Sequence, residues 1–148
     1  MKKLNIEISM LVNKTPQEAF EAINNVEGWW SGDVVGESGR QGDEFTYTVP
    51  GAHFSKQVVT TFVPSRKIVW HVTDALLSFV ANKSEWVGTD IVFEIEKKGN
   101  KTEVFFKHEG LDPKCECYNS CSSAWHTLIN KNLRQLIVTG KKQPSPWT

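Results

Sequence analysis

The stretch that decides the fold is YNSCSSAWHTLINKNLRQLIVTG, which runs from Tyr118 to Gly140. Its apolar residues recur at intervals of three and four, the spacing that gathers side chains on one stripe of an α-helix. They are Cys121, Ala124, Trp125, Leu128, Ile129, Leu133, Leu136 and Ile137. Gly140 suits the C-terminal cap of this helix, and Pro144 prevents its continuation. A long amphipathic helix of this kind needs an apolar surface to pack against.

The residues before the helix predict a sheet that supplies this surface. Alternating or β-rich patterns mark seven candidate strands, at residues 4–10, around 34–35, and at 44–49, 56–63, 67–73, 88–97 and 102–109. Short turns such as Pro50-Gly51 join most of them, so neighbouring strands are expected to be antiparallel. The segment Asp74–Glu85 matches neither period. It is predicted to be either a short irregular strand or a mobile flap.

Short helices are predicted between the first two strands. Thr15 precedes Pro16, and Glu18 lies three residues after Thr15, which is the capping-box pattern of a helix N-terminus. Gly28 indicates that this helix ends or kinks into a second turn. Helices and strands are therefore segregated along the chain rather than alternating, which predicts an α+β fold.

Composition and charge limit the class of protein and of partner. A chain of 148 residues with 39% hydrophobic and 23% charged residues is expected to form a single domain over residues 1–148. Its 17 basic and 17 acidic residues balance, which argues against nucleic acid or an anionic membrane as a partner. The first residues alternate instead of forming a signal-peptide core, and no apolar run could span a membrane. A cytoplasmic protein is expected.

Short motifs spread along nearly the whole chain carry a family resemblance. They are Thr15–Phe20, Gly28-Trp29-Trp30, Gly42–Phe45, Ile68-Val69-Trp70, Trp86–Thr89, His108–Leu111, Cys117-Tyr118, Ser123–Trp125, Leu133 and Thr139-Gly140. With these motifs in this order, the chain resembles the START-like (SRPBCC) superfamily, and within it the branch similar to the activator of heat-shock protein 90 ATPase. The resemblance implies a helix-grip fold. In that fold a curved seven-stranded antiparallel sheet wraps round a long C-terminal helix, with two short helices after the first strand.

The resemblance also implies a function, because members of this superfamily mostly hold a small hydrophobic or amphipathic molecule between sheet and helix. We therefore expect non-catalytic binding of such a molecule, without a cofactor. The side chains expected to line the cavity are Trp30, Phe45, Tyr47, Trp70, Trp86, Phe93, Phe106, His108, Tyr118 and Trp125. The Trp29-Trp30 corner and the segment Asp74–Glu85 are expected to form its mouth.

Two alternatives stay open at this point. One is a co-chaperone-like module that binds a protein partner through the outer face of the sheet. Charged residues expected on that face indicate a solvated surface instead; they are Glu94, Glu96, Glu103 and Lys107. The other is a small cyclase- or isomerase-type enzyme that uses the same cavity. His108 is expected to point inward and His71 outward, and a catalytic base would further need a hydrogen-bonded partner. No phosphate-binding loop, Gly-x-Ser-x-Gly or His-Glu-x-x-His motif occurs, so neither an ATPase nor a hydrolase is predicted.

The three cysteines near the start of the long helix raise the question of a zinc site. Cys115 and Cys117 are separated by one residue, which is poor spacing for zinc, and no second pair follows. On a helix His126 lies about 140° round from Cys121. No metal is therefore expected, and Cys117 and Cys121 are predicted to be small apolar packing or lining residues.

Overall fold

The sheet contains all seven predicted strands. The structure is a computed structural model that describes residues 6–30, 33–49, 53–77, 86–110 and 118–142, with the backbone alone at 77 and 118–121. The strands are β1 (Ile6–Val12), β2 (Asp33–Gly36), β3 (Glu44–Val49), β4 (His53–Val63), β5 (Lys67–Leu77), β6 (Asp90–Lys98) and β7 (Lys101–Glu109). Their order across the sheet is β1-β7-β6-β5-β4-β3-β2, and every neighbouring pair is antiparallel. The predicted α+β class and the seven-stranded antiparallel sheet are confirmed.

Two short helices follow β1, as predicted. They are α1 (Pro16–Asn24) and α2 (Val26–Trp30). Thr15 caps α1 through the predicted box: its hydroxyl oxygen accepts from the Glu18 N–H, and the Glu18 carboxylate accepts from the Thr15 N–H. This exchange satisfies two backbone donors that the start of a helix leaves unpaired. The sequence alone was sufficient to place this helix start.

The long C-terminal helix is continuous but not uniform. It consists of α3 (Tyr118–Thr127), a π-helical turn (Leu128–Leu133) and α4 (Arg134–Thr139). Gly140 ends it as predicted, with φ of 73° and its N–H donating to the Leu136 carbonyl. The positive φ is the reason for glycine at this cap.

The π turn follows from the spacing of the buried residues. Burial recurs every four residues, at Trp125, Leu128, Ile129, Asn132, Leu133, Leu136 and Ile137. In a regular α-helix four residues advance by about 400°, so this stripe would drift about 40° per repeat away from the sheet. The wider π turn bonds residue i to i+5 and offsets that drift. It also buries Asn132, which the sequence assigned to neither face.

The core lies between the inner face of the sheet and these helices. Strand β1 shows the pattern most simply, because Ile6, Ile8, Met10 and Val12 are buried while the residues between them are exposed. The terminal helix contributes Trp125 and the buried residues that follow it. Sheet and helix therefore enclose one aromatic-rich interior, which is the arrangement expected of a helix-grip fold.

A β-bulge explains why the prediction of β5 ended too early. Strand β4 begins at His53, three residues before its predicted start, and β5 continues four residues beyond Thr73. Between β4 and β5 the register shifts twice, which leaves Thr73 and Thr60 without a direct partner. Each extra residue reverses the alternation of inner and outer positions, so a period of two cannot be followed through it. Asp74–Leu77 is therefore irregular strand, and residues 78–85 lie outside the described part of the chain.

Candidate functional site

An aromatic cluster fills the interior beside α2. Trp30 lies at its centre, and its ring centroid is 4.6 Å from that of Tyr47, 6.0 Å from Phe45, 5.7 Å from Trp70 and 5.7 Å from Trp125. Most of these pairs meet edge to face, the geometry that aromatic quadrupoles favour. The rings come from α2, β3, β5 and α3, so the cluster connects both ends of the chain across the core.

A second part of the cluster joins the sheet to α3. Trp86 stacks on Trp125 with centroids 5.9 Å apart and the ring planes at 11°. His108 contacts both of these tryptophans, at 4.7 Å and 5.7 Å. Phe106 lies 4.6 Å from Trp125 and 5.4 Å from Phe93, which completes a continuous set of ring contacts.

Nine of the ten side chains that were predicted to line a cavity are therefore brought together and buried. The tenth, Tyr118, is in the first turn of α3, but its side chain lies outside the description. The expectation that the Trp29-Trp30 corner forms a mouth is wrong. Both rings are buried in the centre of the core, with exposures of 0% and 1%. Whether the other nine contact a ligand stays a prediction.

His108 is held by a directed chain of hydrogen bonds. The indole N–H of Trp125 donates to His108 Nδ1 at 3.0 Å. Because an indole can only donate, Nδ1 must be unprotonated and the ring proton must lie on Nε2. The protonated Nε2 then donates to Thr89 Oγ1, which is 2.8 Å away. The Thr89 hydroxyl in turn donates to the Trp86 carbonyl at 2.6 Å. This chain ties β7, α3 and the turn at residues 86–89 together.

A column of polar side chains runs along the inner face of β4. His53, Ser55 and Gln57 are spaced by two residues and so share that face. His53 Nε2 lies 2.9 Å from the Ser55 hydroxyl, and the Gln57 amide nitrogen donates to the same hydroxyl at 2.6 Å. His53 also contacts Tyr47 and Trp86, so the column borders the aromatic cluster.

Among the described residues, three buried polar atoms within or beside the cluster have no hydrogen-bond partner. They are the indole nitrogens of Trp30 and Trp70 and the amide oxygen of Gln57. A fourth such atom, Asn24 Oδ1, belongs to the last residue of α1. A buried polar group without a partner costs about 1–3 kcal/mol, and native proteins contain few of them. Several such atoms on residues of one cluster are unusual for a core that serves only for packing.

The described part of the interior carries no charged side chain near pH 7. Within the described residues no aspartate, glutamate, lysine or arginine side chain is buried. Burial lowers the pKa of His108 to about 3, with a further contribution from nearby His53, because desolvation disfavours the charged imidazole. Burial likewise lowers the pKa of His53 to about 4. Both imidazoles are therefore uncharged at neutral pH.

Sequence reasoning missed the polar members of this site. Ser55, Gln57 and Thr89 are all buried. Ser55 and Gln57 belong to no recognised motif, and Thr89, although it ends the Trp86–Thr89 motif, was not expected to line the cavity. The signal available for β4 was its pattern of polar residues at alternate positions, which normally marks the solvent face of a strand. Here that pattern marks the inner face, and only the sheet topology reveals this. Asn132, whose amide donates to the Trp29 carbonyl at 3.0 Å, was also missed, because only the π turn brings it onto the buried face of the helix.

The remaining candidates fall outside the interior. His71 faces outward as predicted, with Nδ1 2.8 Å from an Asp90 carboxylate oxygen. His126 is exposed on α3. Cys115 and Cys117 lie outside the described residues, as does the side chain of Cys121. In the part of the chain that is described, no group of three potential metal ligands occurs. Among the same residues no helix is long and apolar enough to cross a membrane.

Comparison with known proteins supports the fold. A family model described as Activator of Hsp90 ATPase homolog 1-like protein matches residues 15–137. The Aha1 dimer from Colwellia psychrerythraea is similar, with a TM-score of 0.75 and 22% identity over 93% of this chain and 98% of that one. Protein BH1534 from Bacillus halodurans is also similar, with a TM-score of 0.69 and 20% identity over 93% of this chain and 99% of that one.

DynU16, a protein in the dynemicin biosynthetic locus, is also similar, with a TM-score of 0.73 and 12% identity over 95% of this chain and 49% of that one. No match is found among curated proteins. At these identities the solved structures show a shared fold.

Proposed function

We propose, since the chain belongs to the family of Activator of Hsp90 ATPase homolog 1-like proteins, that it binds a small, largely apolar molecule between the sheet and the C-terminal helix without transforming it. The observation that carries this proposal is the set of buried, unpartnered polar atoms on Trp30, Trp70 and Gln57. A molecule that reaches them would both cover aromatic surface and pair polar atoms that are otherwise unpaired.

The aromatic surroundings supply the affinity. Apolar area removed from water contributes about 25 cal/mol per Å², and ligand pockets are mostly apolar with a few polar groups that orient the ligand. Trp30, Phe45 and Trp70 provide such surface beside the unpartnered atoms. These atoms have no accessible surface in the described state. Entry of a ligand therefore requires side chains of the cluster to move apart.

The histidines support binding rather than catalysis. Both ring nitrogens of His108 are engaged, so it has no free site at which to accept a proton from a substrate. His53 contacts Ser55, but its lowered pKa makes it a weak base at neutral pH. In the described part of the chain no carboxylate is buried with either histidine. The DynU16 likeness is compatible with a small molecule as ligand, since that protein is in a biosynthetic locus.

One observation favours a second candidate, a protein-binding module. The rings described above touch one another, and the outer face of the sheet carries a groove next to Val63 and Phe105. Arg66, Lys67, Glu94 and other charged residues border this groove, so it would suit a partner of mixed polarity. In that case the interior would serve only as a core.

Native mass spectrometry separates the two candidates. The protein would be purified from its own host and from a recombinant host under non-denaturing conditions. A ligand-binding protein should carry a discrete additional mass of a few hundred daltons that disappears on denaturation. The released compound should then raise the melting temperature of the stripped protein. Protein from both hosts without any added mass would overturn small-molecule binding.

A further inference from the structure

We infer that the ligand of this site is an uncharged molecule that carries a hydroxyl group on an otherwise apolar, ring-containing skeleton. This inference rests on the proposed function and deepens it. It follows from which polar atoms in the interior lack partners and from the absence of charge among the described residues around them.

The three unpartnered atoms belong to residues that surround one point, the ring of Phe45. The centroid of Phe45 is 6.0 Å from that of Trp30 and 5.0 Å from that of Trp70. Gln57 is the direct register partner of Phe45 on β4, and it pairs with Val72 on the other side. Val72 and Trp70 are adjacent inward-facing positions on β5. The residues that carry the two donors and the acceptor therefore border the same part of the interior.

Their chemistry specifies the ligand group. An indole N–H is a donor only, so Trp30 and Trp70 require an oxygen or nitrogen that accepts. The unpartnered Oε1 of Gln57 is an acceptor, because the amide nitrogen of Gln57 is the atom that donates to Ser55. A hydroxyl oxygen accepts through its lone pairs and donates through its proton, so a single group can meet all three needs.

The electrostatics exclude an ionised ligand head. A carboxylate brought to this position would lose its hydration, and no lysine, arginine or charged histidine is buried in the described residues to compensate. A hydrocarbon of the same shape would enter without that penalty. It would, however, leave all three polar atoms unpaired. The neutral hydroxyl compound is therefore expected to bind more tightly than either.

Three probes with one skeleton test this order directly. They are 2-naphthalenemethanol, 2-naphthoate and 2-methylnaphthalene, which differ only in a neutral hydroxymethyl, an anionic carboxylate and a methyl group. Affinities would be measured by isothermal titration calorimetry at pH 7.5 on the stripped full-length protein. Since one net hydrogen bond contributes about 1 kcal/mol, the alcohol should bind at least about fivefold more tightly than the methyl compound. It should bind at least about tenfold more tightly than the carboxylate.

Variants locate the preference at the predicted residues. Gln57→Leu keeps similar volume and removes the acceptor, so it should reduce the preference for alcohol over methyl while the methyl compound still binds. Gln135→Leu makes the same chemical change on the exposed side of α4 and should leave all three affinities unchanged. Circular dichroism of both variants at the titration temperature verifies that they are folded.

Each outcome decides one of the two proposals. Equal or tighter binding of the carboxylate overturns the neutral ligand class but leaves small-molecule binding intact. An undiminished alcohol preference in Gln57→Leu overturns the assignment of the hydroxyl to this residue. If none of the probes binds, the ligand class is overturned. The function falls with it only if native mass spectrometry also finds no bound compound.

Discussion

Lowering the pH from 7 to 5 should destabilise the protein through His108. In the folded protein burial holds the pKa of His108 at about 3, whereas the unfolded chain has the ordinary value of 6.5. The unfolded state therefore binds more protons throughout this range, and the free energy of unfolding falls as the pH falls. This contribution is fully present above pH 6.5 and is progressively lost as the pH approaches 3.

The magnitude follows from those two pKa values. Each pH unit below 6.5 removes up to about 1.4 kcal/mol per histidine that stays neutral in the folded state. Between pH 7 and pH 5 the loss through His108 amounts to about 2 kcal/mol. His53, with a pKa of about 4, acts in the same direction. A total of this size is a large fraction of the stability of an ordinary domain.

A substitution isolates the contribution of His108. His108→Gln retains an acceptor for the Trp125 N–H and a donor for Thr89 but takes up no proton in this range. Urea denaturation at pH 7 and pH 5 should show that the variant loses about 2 kcal/mol less than the parent between the two pH values. His126→Gln, which removes an exposed histidine from α3, is the matched control and should keep the acid sensitivity of the parent. The comparison uses differences between pH values, so a general destabilisation of the variant cancels.

Two results would refute the reasoning. One is an equal loss of stability on acidification in His108→Gln and in the parent. The other is an NMR titration in which the His108 imidazole protonates near pH 6.5 in the folded protein. Either would mean that the imidazole is hydrated or paired with a charge, and that the chain from Trp125 to Thr89 does not hold it neutral.

Three further substitutions test local features by urea denaturation at neutral pH. Thr15→Ala removes the cap and its exchange with Glu18, and should reduce the free energy of unfolding by about 1 kcal/mol; no change would mean that the box is not formed in solution. Asn132→Leu leaves the Trp29 carbonyl without its donor and should reduce the free energy of unfolding by about 1–3 kcal/mol. An unchanged free energy of unfolding would exclude a structural role for this amide. Gln57→Leu removes the unpaired amide oxygen, whose burial costs about 1–3 kcal/mol, and also the hydrogen bond to Ser55, which contributes about 1 kcal/mol. The balance should raise the stability of the unliganded protein by up to about 1 kcal/mol. A clear loss instead would show that the amide oxygen has a partner.

The sequence predicted most of the secondary structure because local rules decide it. The capping box at Thr15 and Glu18 and the glycine cap at Gly140 depend on residues within one helical turn. Strand β3 was predicted at its observed bounds because no bulge interrupts its alternation. Where a bulge interrupts β5, at Thr73, the alternation reverses and the predicted strand ended there.

The candidate site likewise has members that local sequence patterns predicted and members that they did not. Its aromatic members were predicted because large apolar side chains at inward positions have only the core to occupy. Its polar members were not, because Ser55 and Gln57 look like solvent-facing residues until β3 and β5 are placed on either side of β4. His108 was predicted to point inward, but its partners Thr89 and Trp125 are 19 and 17 residues away.

The stretch from Tyr118 to Gly140 shows what each level determined. By itself the sequence determined an amphipathic helix, the residue at which it ends and the apolar stripe that must be covered, because these depend on spacing and on backbone conformation. Only the tertiary structure decided that a π turn realigns the stripe and that Asn132 faces inward. It also decided that the Trp125 N–H donates to an imidazole on β7. These features arise from close packing against a curved sheet, which positions atoms that are distant in sequence.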